Sequence, residues 1–249
     1  KPSTARVITL INQVETDVQL QAARALARLL LGHREIGAVA IGAVRNDDPI
    51  RELQRRVAVV VLAAGGGTRM KGRIKQLLPW RGKTLIQNAV GIAASACAAE
   101  TIVVLGANAA EIRSTLEHAP GRVLINSAWE TGHASSIRMG LNALGREIEA
   151  AVFVNADQPF LATSVIDRII QDYYETGARI VAPLYAGRRG SPVLFDRVHF
   201  AELKSLQGEQ GGRELLVKYP SQIQTVEFAE EQLAVDVDTP EEYERAVES

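Results

Sequence analysis

The chain has 249 residues, 47% hydrophobic and 23% charged, enough apolar material for one large or two small packed domains. A formal net charge of -1 excludes a global pull toward nucleic acid or an anionic membrane, and no apolar run approaches the roughly 20 residues that cross a bilayer. The single cysteine, Cys97, excludes an internal disulfide, and with no signal-peptide pattern at the start the expected location is cytoplasmic.

Residues 6–11 read as a strand, 18–31 as an amphipathic helix and 36–41 as a second strand, which together make one β-α-β unit. About fifty residues in one crossover bury little surface, so this unit is expected to pack on the rest of the chain or to close a domain whose beginning is missing. The start at Lys1, without methionine, fits a fragment or a trimmed chain. Organisation changes near residues 51–56, which sets expected units at 1–56 and 57–249. Beyond that point strands at 57–62, 102–106, 122–125, 151–155 and 180–183 are separated by helices at 84–98, 109–116, 134–144 and 163–176. Cys97, in the run AASACAAE, is expected to be a packed helical cysteine rather than a nucleophile. The alternation predicts an α/β, doubly wound, Rossmann-like, mostly parallel sheet with a short N-terminal β-α-β appendage. In such sheets ligands lie beyond the carboxyl ends of the strands.

The strand at 57–62 runs straight into Ala63, Ala64 and the glycines Gly65, Gly66 and Gly67. Glycines let the backbone approach a ligand and turn its amides inward, and Arg69, Lys71, Arg73 and Lys75 bring positive charge to the same loop. A polyphosphate is the expected guest, a plain turn being the other reading. The loop is not a Walker A motif, because Gly67 is followed at the required spacing by Gly72, Arg73 and Ile74. It is not the dinucleotide fingerprint either, since Met70 stands where the third glycine belongs.

Further along, the segment VFVNADQPFL at 152–161 delivers Asp157 to the sheet edge, and Pro159 stops the chain before a helix begins at Thr163. A carboxylate there suits Mg2+, although aspartates after strands also serve as turn and cap residues. The segment LAVDVDTPEEY at 233–243 places Asp236 and Asp238 on one side of a predicted short strand, followed by a helix that starts at Thr239 and Pro240, with Asp238 or Thr239 as its cap in the alternative reading. Between these stretches, in NSAWETGHASSIRMG at 126–140, Gly132 opens a helix whose first turn carries His133, Ser135 and Ser136, amides and hydroxyls able to read a pyrimidine edge. A helix N-terminus is expected to lower the His133 pKa, which suits a positioning or phosphate contact as well as a general base. His33, His118 and His199 are scattered and give no zinc-ligand spacing. Two loops complete the set. AGRRGSPVLF at 186–195 is a glycine-flanked arginine pair turning into a strand, and QGEQGGRELL at 207–216 leads to a helix start. Arg188, Arg189 and Arg213 would grip an acidic ligand or stand solvated.

LAAGGGTRM with Lys75 shortly after, the DQP of residues 157–159 and the D-x-DTPEE of residues 236–242 together resemble nucleotidyltransferases that move a nucleoside monophosphate from an NTP, and most closely the molybdenum cofactor cytidylyltransferase group, from Val57 to the C-terminus. The resemblance implies Mg2+-dependent transfer of CMP from CTP to the phosphate of molybdopterin cofactor, with release of pyrophosphate. It implies catalytic roles for Arg69, Lys75 and Asp157, and nucleotide binding by Leu62, Ala63, Ala64, Gly65, Gly66, Gly67, Gly106, Ser135 and Ser136 together with Lys75 and Asp157. The metal falls to Asp157 and Asp236, with Asp238 as the competing ligand, and the acceptor to Arg188, Arg189, Gly190 and Arg213. Three positions depart from the family pattern: Ser191 where His is common, Glu209 where the loop commonly has Asp, and Glu242 in place of a final Asp. The first two leave the nucleotide half intact but put the acceptor in doubt, and the LAAG…RM…K core alone leaves open another phosphorylated acceptor, GTP as donor, or a non-catalytic cofactor-binding chaperone. Leu10, Ile11, Asn12, Gln13, Val14 and Glu15 look like the base-reading strand end of P-loop GTPase-type proteins, and residues 1–56 resemble the last part of accessory proteins of selenium-dependent molybdenum hydroxylases. Lacking a Walker A motif, that part is not expected to hydrolyse nucleotide. It reads as a structural appendage or as a docking piece for an apo molybdenum hydroxylase, and neither nucleic acid nor a membrane is an expected partner.

Overall fold

The computed structural model describes residues 7–12, 14–31, 36–42 and 50–249, so that the expectations for Lys1, Arg6, Gln13 and His33 lie outside the described residues. In chain order the elements are β1 (Val7–Ile11), α1 (Asp17–Leu31), β2 (Ile36–Gly42), β3 (Ile50–Arg55), β4 (Val57–Ala63), β5 (Pro79–Trp80), β6 (Lys83–Thr84), α2 (Leu85–Ser95), β7 (Glu100–Leu105), α3 (Ala109–Ser114), β8 (Arg122–Ile125), α4 (His133–Ala143), β9 (Ala150–Asn155), α5 (Thr163–Thr176), β10 (Ile180–Tyr185), β11 (Arg188–Arg189), β12 (Val193–Asp196), α6 (Phe200–Ser205), α7 (Gly212–Lys218), β13 (Ile223–Phe228) and α8 (Pro240–Glu248).

β1 and β2 pair in parallel across α1, as a β-α-β unit requires, and Ala23, Ala27 and Leu31 of α1 pack on Val39 and Ile41. The segment expected to be a boundary is itself a strand: β3 pairs antiparallel with β2, and only Arg56 separates it from β4. Its charges hid it. Glu52 is buried because the Arg24 Nε of α1 donates to it at 2.8 Å, and Gln54 donates to the same carboxylate at 3.0 Å. The unit rests on α5, where Arg24 also pairs with Glu175 at 2.8 Å and the Tyr174 hydroxyl donates to the Arg55 carbonyl at 2.7 Å. Cys97 lies beyond the end of α2 rather than within a helix, and burial, then the nearby Asp167 carboxylate, raise its thiol pKa.

The larger sheet runs β11-β10-β12-β9-β4-β7-β8, with β13 beside β10. β4 is its centre. It is parallel to β7 and β9 and every one of its residues is buried, which is why it reads as an unbroken apolar run. One insertion departs from a simple alternation: β12 lies between β9 and β10, antiparallel to both. Apolar clusters fill both faces, Ile86, Val90, Ile166 and Ile169 on one and Ile137, Leu141, Phe195 and Phe200 on the other. Among the described residues no helix is long and apolar enough to cross a membrane. The carboxyl ends of β9, β4, β7 and β8 therefore form one edge, and the candidate site lies along it.

Candidate active site

The loop after β4 is held from below and behind. Gln76, 4% exposed, donates from its amide to the Ala63 carbonyl at 3.2 Å and the Gly65 carbonyl at 2.8 Å. Buried Met70 anchors the single 3-10 turn Thr68–Met70 that follows the glycines. Behind the loop, the Ala107 N–H donates to the Ala64 carbonyl at 3.0 Å, and a Cβ at position 106 would stand 2.7 Å from that same carbonyl oxygen and 2.6 Å from the Trp129 Cβ. Only glycine permits that approach. Gly106 thus braces the loop instead of lining the cleft, and the Trp129 ring covers Gly66.

The charges meet at the Lys75 ammonium, which lies 2.6 Å from Asp157 Oδ2 and 3.0 Å from Asp238 Oδ1. With 12% of its side chain exposed, Lys75 would lose proton affinity through burial, but Asp157 and Asp238 outweigh this and hold its pKa above the ordinary lysine value. Arg69, 67% exposed, pairs with Asp238 Oδ2 at 2.9 Å. Burial works against ionisation of Asp238 too, yet Lys75 and Arg69 keep its carboxyl below the usual range. The segment 235–238 is not a strand, contrary to expectation. It is an extended link tied to its neighbour by one backbone bond, Val237 N–H to the Asp157 carbonyl at 2.9 Å. Thr239 caps α8 in a capping box with Glu242, so the Asp238 carboxylate is not used as a cap. Asp236 is exposed over the residue as a whole, but crowding of its carboxylate by protein atoms, then by Asp157 and Asp238, raises its pKa to about 6.

Among the described residues no three carboxylate, imidazole or thiol groups stand together as a ready metal site. The three expected ligands do not form a closed set, because Lys75 stands between Asp157 and Asp238. One observation nevertheless fits a cation: Asp157 Oδ1 is buried and has no hydrogen-bond partner, a costly state for a charged oxygen.

At the start of α4 the two serines separate in role. Asn126, buried at the end of β8, donates to Ser135 Oγ at 2.8 Å and Ser136 Oγ at 3.0 Å, and Ser135 in turn donates to the Gly132 carbonyl at 2.8 Å. Ser135 is spent on shaping the helix start. Ser136 lines a cleft of about 490 Å3 with Leu62, the Ala63–Gly67 backbone, Arg69, Lys75, Asp157 and Asp238. A second cleft, of about 770 Å3, opens beside it. Phe153 and Phe195, edge to face at 6.1 Å, stand in its wall with Ile137 and Leu203, and Arg189, Gly190 and Arg213 line it as well. Arg188 does not line this cleft. Asp236 lines neither.

Residues 59–223 match the model of the MobA-like NTP transferase domain. The chain belongs to that family. Nicotine blue oxidoreductase of Paenarthrobacter nicotinovorans is 30% identical over 197 residues, covering 76% of this chain and 95% of that protein. Among solved structures, Rv0371c of Mycobacterium tuberculosis H37Rv is 30% identical, with a TM-score of 0.66 over 78% of this chain and 99% of its own. The same protein has been solved in complex with manganese, at 29% identity and a TM-score of 0.65 over the same shares.

The glycine loop, Lys75 and Asp157 line one cleft, whereas Ser135, Gly106, Arg188 and Asp236 do not line it. Reading of the sequence assigned no role to three residues: Gln76 braces the loop, Trp129 covers it, and Asn155 borders both clefts, as does Glu209 of the acceptor loop. The only advance sign for Gln76 was a polar residue placed between Lys75 and the apolar Leu77 and Leu78.

Proposed function

We propose that this protein moves CMP from CTP to the phosphate of a molybdopterin-type cofactor and releases pyrophosphate. The observation that carries the reading is the largely shielded Lys75 ammonium, shared by Asp157 and Asp238 beside the glycine loop in a cleft that has Leu62, His133, Asn155 and Glu209 in common with a second cleft. Transfer of this kind is positioning and charge neutralisation. Lys75, ionised throughout the physiological range, and Arg69 take up charge on the triphosphate, as do the amides of the Gly65–Gly67 loop. Trp129 on Gly66 narrows that end of the cleft, which suits a single-ring base against Ser136. The aromatic wall of the larger cleft suits a flat acceptor ring, and Arg189 and Arg213 suit its acidic end.

A divalent cation, Mg2+ in our reading, would be held by the buried Asp157 Oδ1, and it would neutralise the triphosphate. Asp238 already has Lys75 and Arg69, whereas Asp236 is crowded by two carboxylates, so Asp236 is the ligand that gains most from a cation. Residues 1–56 we read as a separate unit, the end of a P-loop-like domain seated on α5 and available to an apo molybdenum hydroxylase.

The test is pyrophosphate release with each of the four NTPs, with and without molybdopterin cofactor. Release with CTP alone, dependent on the acceptor, supports the reading; equal release with GTP, or none with CTP, overturns it. The nicotine blue relative and the aromatic wall favour a second reading, oxidoreduction of a flat compound in the larger cleft. Oxidation of a reduced nicotinamide or flavin without pyrophosphate release would select that alternative.

A further inference from the structure

Four residues line both clefts: Leu62, His133, Asn155 and Glu209. A group that passes from a ligand in one cleft to a ligand in the other crosses between them. Leu62 has no polar side-chain atom, Asn155 cannot take a proton at neutral pH, and the Glu209 carboxylate repels a phosphate. His133 alone of the four can accept a proton while neutral.

The imidazole is placed by backbone packing. Position 132, with φ of 105°, opens α4 against a second loop, where a Cβ would stand 2.3 Å from the Gly208 carbonyl oxygen, and the Ala134 N–H donates to that oxygen at 3.0 Å. On the other side a Cβ at Gly211 would stand 3.0 Å from His133 Cδ2 and 3.4 Å from Nε2. The loop of Gly208 and Gly211 thus packs on the helix start through Gly208 and on the ring through Gly211, and no hydrogen bond ties either ring nitrogen to another described residue. Its polar atoms are left for a ligand.

We propose that His133 is a further catalytic residue, taking the proton of the acceptor phosphate as that phosphate attacks CTP. The inference rests on the transferase reading. A phosphate monoester loses its second proton near pH 6 in water, and an acceptor that enters beside the triphosphate as the monoanion must lose its remaining proton as it attacks. Its attacking oxygen forms a bond to the α-phosphorus. The bond from the α-phosphorus to the bridging oxygen breaks, pyrophosphate leaves with the electron pair, and the acceptor's proton passes to a His133 ring nitrogen and then to solvent. Burial keeps the His133 pKa below its ordinary value, against Glu209, Asp157 and Glu214, which act the other way, while Arg189 and Arg213 line the larger of the two clefts it borders and Lys75 the smaller. The ring therefore meets the acceptor neutral.

The experiment compares wild type with His133→Ala and His133→Gln, measuring kcat and both KM values on either side of about pH 6.5, the ordinary imidazole pKa. In both variants kcat should fall about a hundredfold and the acid limb of its profile should vanish, with KM for CTP unchanged. Added imidazole should return part of the rate to the alanine variant. Thermal melts accompany each variant, and if the alanine variant unfolds, the glutamine variant decides. Rates within twofold of wild type with an unchanged pH profile would overturn the inference and leave the transferase reading intact. So would a full rate in the glutamine variant, which can hold a phosphate but not take its proton. A wild type that transfers no nucleotide at all would end both.

Discussion

In the smaller cleft the groups that face a ligand are themselves held: Lys75 by two carboxylates, the loop carbonyls by Gln76, and the Ser136 hydroxyl by Asn126. In the larger cleft Arg189 and Arg213 stand exposed at the edge of an apolar wall. Charge fixed in advance needs no rearrangement when a phosphate arrives, which is where rate comes from. A wall of rings with solvated arginines selects by shape and adjusts to what it meets. In the function proposed here the smaller cleft is the chemical end and the larger one the recognition end, and substitutions at the two should differ in kind as well as in size.

The largest effect belongs to the fixed end. Lys75→Ala should lower the rate of pyrophosphate release about a hundredfold, since it removes a charge held by two carboxylates and, at 12% side-chain exposure, largely shielded from solvent. Arg69→Ala should lower it about tenfold or less, because a side chain 67% exposed acts through solvent. Equal losses in steady-state assays would mean that burial at Lys75 contributes nothing, and the contrast between the clefts would fail.

At the smaller cleft, close packing separates two glycines in stability. Gly106→Ala forces a methyl group onto the Ala64 carbonyl and Trp129, and should cost about 1 to 3 kcal/mol, read as a lowered midpoint in thermal melts. Gly65→Ala, which meets nothing within 4 Å, should melt as wild type does. A wild-type midpoint for Gly106→Ala would show that the loop yields, and that its position is not set from behind.

These positions also show what could be read in advance. β4 was legible because a central parallel strand is apolar on both faces, and the loop because a backbone that must approach a ligand needs glycine. Lys75 and Asp157 were legible as charges at strand ends. β3 was not, because Arg24, the partner that lets Glu52 be buried, comes from elsewhere in the chain and local composition resembles a linker. The antiparallel insertion of β12 depends on pairing across the sheet, which no local pattern encodes. Asp236 and Asp238 were found, but their ranking depends on where Lys75 and Arg69 reach. The line between Ser135 and Ser136 depends on Asn126, nine residues before Ser135 and ten before Ser136.

At the recognition end the changes should be smaller and of another type. Arg213→Ala and Arg189→Ala should each raise the acceptor KM by about fivefold, the scale of an exposed charge contact, with kcat and KM for CTP unchanged. Arg188→Ala, outside the cleft, should change neither. A loss of kcat in either cleft variant would move that arginine to the reacting atoms and blur the division between the two regions.

The smallest effect is also the one that tests the metal assignment. The Asp236 carboxyl has a pKa raised to about 6 in the folded chain, from an unfolded value near 3.8, so the folded state holds the extra proton between those limits. Its contribution to stability is complete below the unfolded value and is lost as pH rises through about 6, because ionisation then adds a third carboxylate beside Asp157 and Asp238. Wild type should lose melting temperature across that window relative to Asp236→Asn, which stays uncharged. The difference should be slight, since the residue is exposed over much of its surface and solvent screens the repulsion. Mg2+ with CTP should reverse it above pH 6, raising the wild-type midpoint by mass action on the folded state while Asp236→Asn gains little. If Asp236→Asn gains as much as wild type and Asp238→Asn does not, the cation sits on Asp238. The carboxylate already paired with Lys75 and Arg69 would then be the one that exchanges its partners for metal when the nucleotide binds.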